Sequence, residues 1–259
     1  MMSLEPRWKA VSRSLRVYHG DKTRHAAMDK LYSRFVRPGD LAFDIGSHVG
    51  DRISAFRRLG ARVVALEPQP LPARAIRLIH GRDSDVTLIE AACGDHQGQI
   101  TLRINSANPT VSTASTDFVR AADGAEGWRE QRWDEERVVP MTTLDVLMTR
   151  FGAPAFVKID VEGFEASVLA GLSQPLAALS FEFTTIQRDV AYACLDRLAQ
   201  LGSHRYNIAL GESQEFSFPD FVDRAAMERH IRDLPHAANS GDVYAVSLRE
   251  HPSPCHARA

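Results

Sequence analysis

The sequence predicts one α/β domain of the Rossmann-like type, in which helices flank a mostly parallel central sheet. Three observations predict it. Three short apolar runs, separated by amphipathic helical segments, follow one another between residues 41 and 95. The first run ends in a carboxylate and a glycine-rich turn, and strands that alternate with helices indicate right-handed βαβ units. The length of 259 residues suits a single domain of this class, so we expect 1–259 to be one domain.

The composition narrows the class of protein. With 44% hydrophobic and 25% charged residues, the chain is globular rather than disordered or fibrous. The net charge of −2 gives no reason to expect a nucleic-acid or membrane partner. Three cysteines without a CxxC pair fit a reducing compartment. Since neither a signal peptide nor a run of about 18 apolar residues is present, we expect a cytoplasmic protein.

Residues 1–37 are expected to form a helical extension. Two stripes of apolar side chains recur there at helical spacing: Trp8, Val11, Leu15 and Tyr18, then Met28, Leu31, Tyr32 and Phe35. We expect these helices to pack on the core, and a lid over the active site is the alternative. They could also pack across a homodimer.

The core is predicted over residues 38–248 and begins after a turn at residues 37–40. Its first three strands are expected in LAFDIG, RVVALEP and DVTLIEAACGD, with helices in DRISAFRRLG and PARAIRLIHG between them. Residues 97–140 then break the rhythm, because a strand-like QITLRIN precedes a segment rich in charge and glycine. We interpret 97–140 as a partly mobile insertion between the third and fourth core strands.

Regular order returns after the insertion. A strand and a helix are predicted in ERVVPMTTLDVLMTRFG, a fourth buried strand in AFVKIDVEG, and a helix in FEASVLAGL. LSFEFT, RYNIAL and DVYAVSL supply three further strands, with the helix VAYACLDRLAQLG after the first of them. Residues 249–259 are expected to be a frayed tail.

The turn after the first strand predicts a ligand site. Asp44 ends the strand, and the glycines at 46 and 50 let the backbone approach a ligand without a Cβ in the way. The following helix offers free amides to a carboxylate or phosphate. Ser47 and His48 lie in the same turn. Arg52 could reach a carboxylate, although such a helix position is more often solvated.

Two further carboxylates follow the next strands. Glu67 ends the second strand and could accept hydrogen bonds from both ribose hydroxyls of a nucleoside. Asp95 follows the third and could accept from an adenine amino group. Each could instead cap a helix or turn. The turn GSHVG lacks the middle glycine of the dinucleotide fingerprint and no P-loop is present, so a nucleoside without pyrophosphate, above all S-adenosylmethionine, fits best.

The segment FVKIDVEGFEASVLAGL, residues 156–172, resembles the signature K-I-D-x-E-G-x-E-x-x-V-L-x-G-L of the FkbM family of methyltransferases. DIGSHVGDR, ALEPQP, EAACGDHQG and VPMTTLD match that family in the same order, and the resemblance extends over residues 40–246. It implies a class I methyltransferase fold with S-adenosyl-L-methionine as cofactor and S-adenosyl-L-homocysteine as product. The usual target is a hydroxyl oxygen, often on a saccharide or a natural-product small molecule.

The resemblance also implies roles for the residues above. Those at the amino-acid end of the cofactor would be Asp44, Gly46 and Gly50, with Ser47 and His48 beside them; Glu67 would bind the ribose, and Cys93 and Asp95 would border the adenine. Two features depart from the family pattern. His48 stands where many members have Asn, and residues 105–137 are divergent, which leaves the acceptor open.

The strand ending in KIDVE places chemistry at the same edge. Lys158, Asp160 and Glu162 alternate and so share a face. Asp160 is our first candidate for the base that takes the acceptor's proton, and Glu162 the second. Either could hold the cofactor's ammonium, or Asp160 could pair with Lys158 while Glu162 caps a helix. A divalent metal held by these two and Glu182 is possible but not expected.

Candidate contacts to the acceptor are Glu182, the hydroxyls of Ser112 and Thr113, and the rings of Trp128 and Trp133. Each has a structural alternative: a solvated strand end, surface loop positions, or anchors of the insertion. Two other functions stay open, namely a nicotinamide-dependent oxidoreductase and a non-catalytic nucleoside-binding module. The missing glycine disfavours the first, and retention of Asp160 and Glu162 disfavours the second.

Overall fold

The computed structural model describes residues 4–248, so the predicted tail at 249–259 lies outside the described residues. The strands are β1 Leu41–Ile45, β2 Arg62–Leu66, β3 Val86–Ile89, β4 Ala92–Cys93, β5 Gly98–Ile104, β6 Glu135–Thr142, β7 Phe156–Ile159, β8 Ala178–Thr184, β9 His204–Leu210 and β10 Ser240–Ser247. The helices are α1 Leu4–His19, α2 Lys22–Tyr32, α3 Asp51–Arg58, α4 Pro70–His80, α5 Thr116–Ala122, α6 Leu144–Phe151, α7 Glu165–Ala170, α8 Arg188–Leu201 and α9 Arg224–Asp233.

Seven strands form the central sheet in the order β3-β2-β1-β7-β8-β10-β9. β10 runs antiparallel to both of its neighbours, and the pairings from β3 across to β8 are all parallel. The predicted mostly parallel sheet flanked by helices is confirmed. The strand order reverses between β1 and β7, and a ligand of an open α/β sheet binds beyond the carboxyl ends of strands at such a point.

The sheet has a hydrophobic layer on each face, which explains why its strands are apolar runs. All five residues of β1 are buried. On one face α2 packs through Met28 and Tyr32, and the Tyr32 ring meets Phe56 and Phe156 at centroid distances of 4.9 and 5.7 Å. On α1, Val11 is buried against Val49 and Ala75. The N-terminal helices therefore pack on the core.

The segment between β3 and β7 differs from its prediction. The third apolar run is not one strand: β3 ends at Ile89, and β4 belongs to a second, three-stranded sheet of order β4-β6-β5. The rest of the predicted mobile insertion is folded. Ser115 caps α5, and Phe118 and Trp128 are buried in a small aromatic cluster. Apolar side chains that are spaced far apart in this charge-rich stretch pack together in the fold, and the local composition gives no indication of that packing.

α9 was not predicted. It lies between β9 and β10, where Asp223 caps it by accepting a hydrogen bond from the Ala226 amide and Met227 and Ile231 are buried. Among residues 4–248, no helix has the length and apolarity needed to cross a membrane.

Candidate active site

A cleft of about 250 Å³ opens at the carboxyl ends of the central strands. Most of the predicted site residues line it: Asp44, Gly46, Ser47, His48, Glu67, Cys93, Ser112, Trp128, Asp160, Glu162 and Glu182. The structure therefore brings the glycine turn, the end of β2 and the KIDVE strand together. Four predicted residues do not line the cleft: Gly50, Asp95, Thr113 and Trp133.

The turn after β1 needs glycine at position 46. Gly46 has a φ of +86°, and a Cβ added there would lie 1.8 Å from the carbonyl oxygen of Asp160. The backbones after β1 and β7 therefore touch at the floor of the cleft. The amides of Gly46 and Ser47 both donate to the Leu66 carbonyl, at 3.0 and 2.9 Å. Gly50 has a different role, because it starts α3 in the left-handed conformation behind the cleft wall.

Asp44 is a buried carboxylate with an unused acceptor. Its side chain is 1% exposed, and its Oδ2 has no hydrogen-bond partner among the described residues. Burial, with the nearby charge of Asp51, raises the pKa of Asp44 to about 7. An ammonium or hydroxyl donor in the cleft would satisfy this oxygen.

Glu67 is positioned by two backbone amides. Its Oε2 accepts from His48 N and its Oε1 from Gln69 N, both at 2.8 Å. Each oxygen keeps a second lone pair, so the carboxylate can still accept from a ribose diol. Burial raises the pKa of Glu67 to about 8, against the opposing effect of the two amides. The neighbouring His48 ring is neutral, since burial lowers its pKa to about 4.

The expected adenine side is only partly as predicted. Cys93 lines the cleft, and burial raises the pKa of its thiol to about 12, so it offers a neutral, apolar wall. Asp95 is exposed outside the cleft, and its Oδ1 lies 2.7 Å from His96 Nδ1. The chain turns away from the cleft where β4 joins the second sheet, so Asp95 does not face the ligand space.

Three carboxyl groups meet on the opposite wall. One oxygen each of Asp160, Glu162 and Glu182 lies within 4.8 Å of the others, a spacing that one divalent cation could bridge. Lys158 Nζ lies 2.9 Å from Asp160 Oδ2 and 2.8 Å from Asp242 Oδ1. Burial acts to raise the pKa of Asp160, but the Lys158 charge and a hydrogen bond from Glu182 hold it below its usual value. Burial and the charge of Asp160 raise the pKa of Glu162 and of Glu182.

The turn that carries Glu162 is held from outside the cleft. Glu162 has a φ of +54°, and its carbonyl accepts a hydrogen bond of 2.6 Å from Thr113 Oγ1. Glu165 Oε1 accepts from the Val161 and Gly163 amides. A Cβ at Gly163 would lie 2.7 Å from the Phe118 ring. Thr113 is therefore a support of the turn, and its hydroxyl is used by the Glu162 carbonyl outside the cleft.

The two insertion tryptophans differ. Trp128 lines the cleft, is 7% exposed, and has no partner for its Nε1 among the described residues. Trp133 is an anchor, because its Nε1 donates to the Val111 carbonyl at 2.9 Å and its ring packs on Phe118. Ser112 lines the cleft but already donates to Gln69 Oε1 at 3.0 Å.

Sequence reasoning missed a charged group beside the glycine turn. Asp51 Oδ2 accepts from Arg24 at 2.6 Å and from Arg52 at 2.5 Å, and both arginines also reach Glu212. Arg52 is 8% exposed, so its expected solvated position is wrong. Tyr18 of α1 also lines the cleft. These residues come from distant parts of the chain, so their contacts could not be predicted from local sequence. The one indication of the ion pairs was the acid next to a base at positions 51 and 52.

Comparison with known proteins gives one family. The family model described as the methyltransferase FkbM domain matches residues 44–230. No curated protein matches the chain. Among solved structures, the chain is similar to precorrin-6y C5,15-methyltransferase from Geobacter metallireducens GS-15, at 14% identity and a TM-score of 0.44, over 86% of this chain and 87% of that one. It is also similar to an O-methyltransferase from Bacillus cereus, at 11% identity and a TM-score of 0.46, over 92% of this chain and 90% of that one. Likenesses this remote carry no information on the acceptor.

Proposed function

The chain belongs to the FkbM methyltransferase family, and we propose that it transfers the methyl group of S-adenosylmethionine to a hydroxyl oxygen of a saccharide or natural-product small molecule. One observation carries this proposal. Asp44 and Glu67, at the ends of adjacent strands, face the same cleft as the carboxyl group of Asp160. The cleft thus has acceptors for a nucleoside and its amino-acid portion on one side and a candidate base on the other.

The residues present fit S-adenosylmethionine. The unpartnered Oδ2 of Asp44 suits the cofactor's ammonium, and the free lone pairs of Glu67 suit the two ribose hydroxyls. Gly46 lets the turns after β1 and β7 meet at the floor of the cleft, which brings Asp44 and Asp160 to the same ligand space. Arg52 and the α3 N-terminus border the same region and suit the cofactor's carboxylate. The reaction requires no pyrophosphate site, and none is predicted by the sequence.

When bound, the cofactor supplies an electrophilic methyl group that moves from sulfur to the acceptor oxygen. The protein contributes position and a proton acceptor. Holding the acceptor in line can supply several kcal/mol, on the order of 7–11 at best. Asp160 is the group that accepts the hydroxyl proton, because it lines the cleft next to the other two carboxyl groups of that wall. Glu162 and Glu182 line the same wall, where their carboxyl groups can form hydrogen bonds with other hydroxyls of the acceptor.

The acceptor side favours a ligand with several hydroxyls. Trp128 offers an indole ring and an Nε1 donor without a partner among the described residues. The carboxyl groups opposite accept hydroxyl protons. A small saccharide combines an apolar ring face with hydroxyls in this way. We expect neither a nucleic-acid nor a membrane partner, and we expect the reaction not to require a metal.

The test is transfer of a labelled methyl group from S-adenosylmethionine to a panel of saccharides and polyhydroxylated small molecules. Asp160→Asn should lower kcat by about 10²–10⁴-fold, because the proton acceptor is lost. The matched control is Asp95→Asn, which lies outside the cleft and should leave the rate unchanged. Labelling of an amine or carbon acceptor instead, or full activity of Asp160→Asn, would contradict the proposal. Retention of the rate in EDTA is expected, and its loss would show that a metal takes part.

A further inference from the structure

Lys158 lies beneath the cleft, and neither cofactor binding nor the proposed methyl transfer uses its side chain directly. Its side chain is 1% exposed. It lies on β7, two residues before Asp160, and its Nζ donates to two acidic side chains, Asp160 and Asp242 of β10, at 2.9 and 2.8 Å. A buried ammonium costs several kcal/mol of desolvation unless such partners compensate it.

The carboxyl groups around Lys158 outnumber its charge. Asp160, Glu162, Glu182 and Asp242 together would carry four negative charges against one ammonium. Like charges this close cannot all be ionised, so some of the groups hold protons. Among the described residues, Asp160 and Asp242 are the two carboxyl groups within hydrogen-bond distance of Lys158 Nζ, so its charge favours their ionised forms. Glu162 and Glu182 have no such cation, and Glu182 Oε2 is buried without a partner among the described residues.

We propose that Lys158 selects Asp160, rather than Glu162 or Glu182, as the ionised carboxyl group of the cleft wall and thereby positions it as the base of the proposed methyl transfer. The inference rests on the proposed function. Lys158 touches neither ligand space nor the reacting atoms, since it is fully buried and does not line the cleft. It is a positioning residue. Asp242 accepts from the same ammonium through its Oδ1, from β10 on the same face of the sheet, and Asn at this position would keep an acceptor oxygen.

The proton distribution has a direct chemical consequence. With Asp160 ionised, a neutral Glu182 can donate to it, and the pair shares one proton between two strand ends. The titratable and charged groups that face this arrangement come from the elements around it: Asp44 of β1, Glu162, Glu165 of α7, Glu182 of β8, Asp242 of β10, Arg52 of α3, Tyr32 of α2, Tyr18 of α1 and His48 of the glycine turn. Among them Arg52 is the other cation, and it is already paired with Asp51 and Glu212.

The test is titration of Asp160 itself, by carbon NMR of the full chain labelled in its aspartate carboxyl groups. Asp160→Asn assigns the signal. Lys158→Met alone would leave Asp242 buried without its partner, so the decisive variant is Lys158→Met with Asp242→Asn, and the matched control is Asp242→Asn alone. The pKa of Asp160 should rise by at least about one unit in the double variant relative to the control, because an opposite charge next to it is lost. In the control it should not rise, because the ammonium remains.

An unchanged pKa of Asp160 in a folded double variant overturns the inference. If the double variant does not fold, Asp242→Asn alone still tests the inference. A rise in the pKa of Asp160 in that variant overturns it, because the variant keeps the ammonium and removes only a repelling carboxylate. Calorimetric titration of the same proteins with S-adenosylmethionine separates this inference from the proposed function. If the wild type does not bind S-adenosylmethionine, the methyltransferase proposal is contradicted, whatever the pKa of Asp160. Cofactor binding with an unmoved Asp160 contradicts only the role of Lys158.

Discussion

At the scale of single residues, Gly46 is important because the turns after β1 and β7 touch at this position. A glycine after the first strand indicates a close backbone approach, and the sequence predicts a ligand as the approaching group. The structure shows that the carbonyl of Asp160 is closer still, at 1.8 Å from where a Cβ would lie. No local pattern reveals that contact, because it joins two turns 114 residues apart in the chain, from 46 to 160.

Gly46→Ala should therefore destabilise the protein more than positive φ alone requires. Gly39 has a φ of +87°, and a Cβ added there would have nothing within 4 Å, so Gly39→Ala is the matched control. We expect the control to lose about 1 kcal/mol of unfolding free energy and Gly46→Ala to lose about 3 kcal/mol or more, since the turns must separate. Urea unfolding measures both. Equal losses would show that the approach of the two turns is not tight.

Glu67 should release a proton when a nucleoside binds. Its pKa of about 8 leaves it protonated at pH 7, and ribose hydroxyls favour the ionised form. Adenosine is the probe, because it lacks an amino group that titrates in this range. Calorimetry at pH 7 in two buffers of different ionisation enthalpy should show proton release. Glu67→Gln should abolish that release, whereas release that persists in this variant would assign it elsewhere.

At the scale of elements, the chain divides into parts that were predictable and parts that were not. β1, α3, β2 and α4 follow from local periodicity because each buries one face or both against the sheet. The insertion does not, because Phe118 and Trp128 are isolated apolar residues in a charged stretch and become a core only when folded together. For the same reason the separation of Thr113 and Trp133 from the cleft could not be read from the sequence.

Thr113 should matter through the turn that it supports. Thr113→Val removes a donor to the Glu162 carbonyl and an acceptor from the Ser115 amide, so we expect a loss of about 1–3 kcal/mol in unfolding free energy. Thr101→Val, at a half-buried position of β5, is the control and should stay within about 0.5 kcal/mol of the wild type. A Thr113→Val protein as stable as the control would show that the insertion does not hold the turn that carries Glu162.

At the scale of the whole molecule, buried carboxyl groups in and beside the cleft have pKa values far above their usual range. Asp44 and Glu165 have pKa values of about 7, and burial is the first cause for each. Between pH 4 and 7 the folded protein thus holds protons that the unfolded chain has released. Stability falls with rising pH wherever the folded state binds more protons, and Asp44, Glu67 and Glu165 all act in this sense. The histidines whose pKa burial lowers, such as His48, act in the opposite sense and are outweighed by these three carboxyl groups. Stability should therefore decrease through this window and level off above the folded pKa values of the carboxyl groups.

Urea unfolding at pH 5 and pH 8 checks that sign. The wild type should be more stable at pH 5, and Asp44→Asn should show a smaller difference, because one buried group no longer titrates. The change on Asp44→Asn is expected on the order of a few kcal/mol at most. Greater stability at pH 8 in the wild type would mean that these carboxyl groups are paired rather than simply buried. Binding of S-adenosylmethionine, whose ammonium would lie next to Asp44, should reduce the loss of unfolding free energy at pH 8.

The most direct test of the proposed cofactor site is calorimetric titration of S-adenosylmethionine and of NADH into the wild type and into the double variant Asp44→Asn/Glu67→Gln. We predict saturable binding of S-adenosylmethionine, weakened about 10–100-fold or more in the variant, since hydrogen bonds to charged groups contribute about 1.5–3 kcal/mol each. NADH should not bind, and Asp95→Asn should bind the cofactor like the wild type. Binding of S-adenosylmethionine that is equally tight in the variant, or binding of NADH in its place, would contradict the cofactor site described for this cleft.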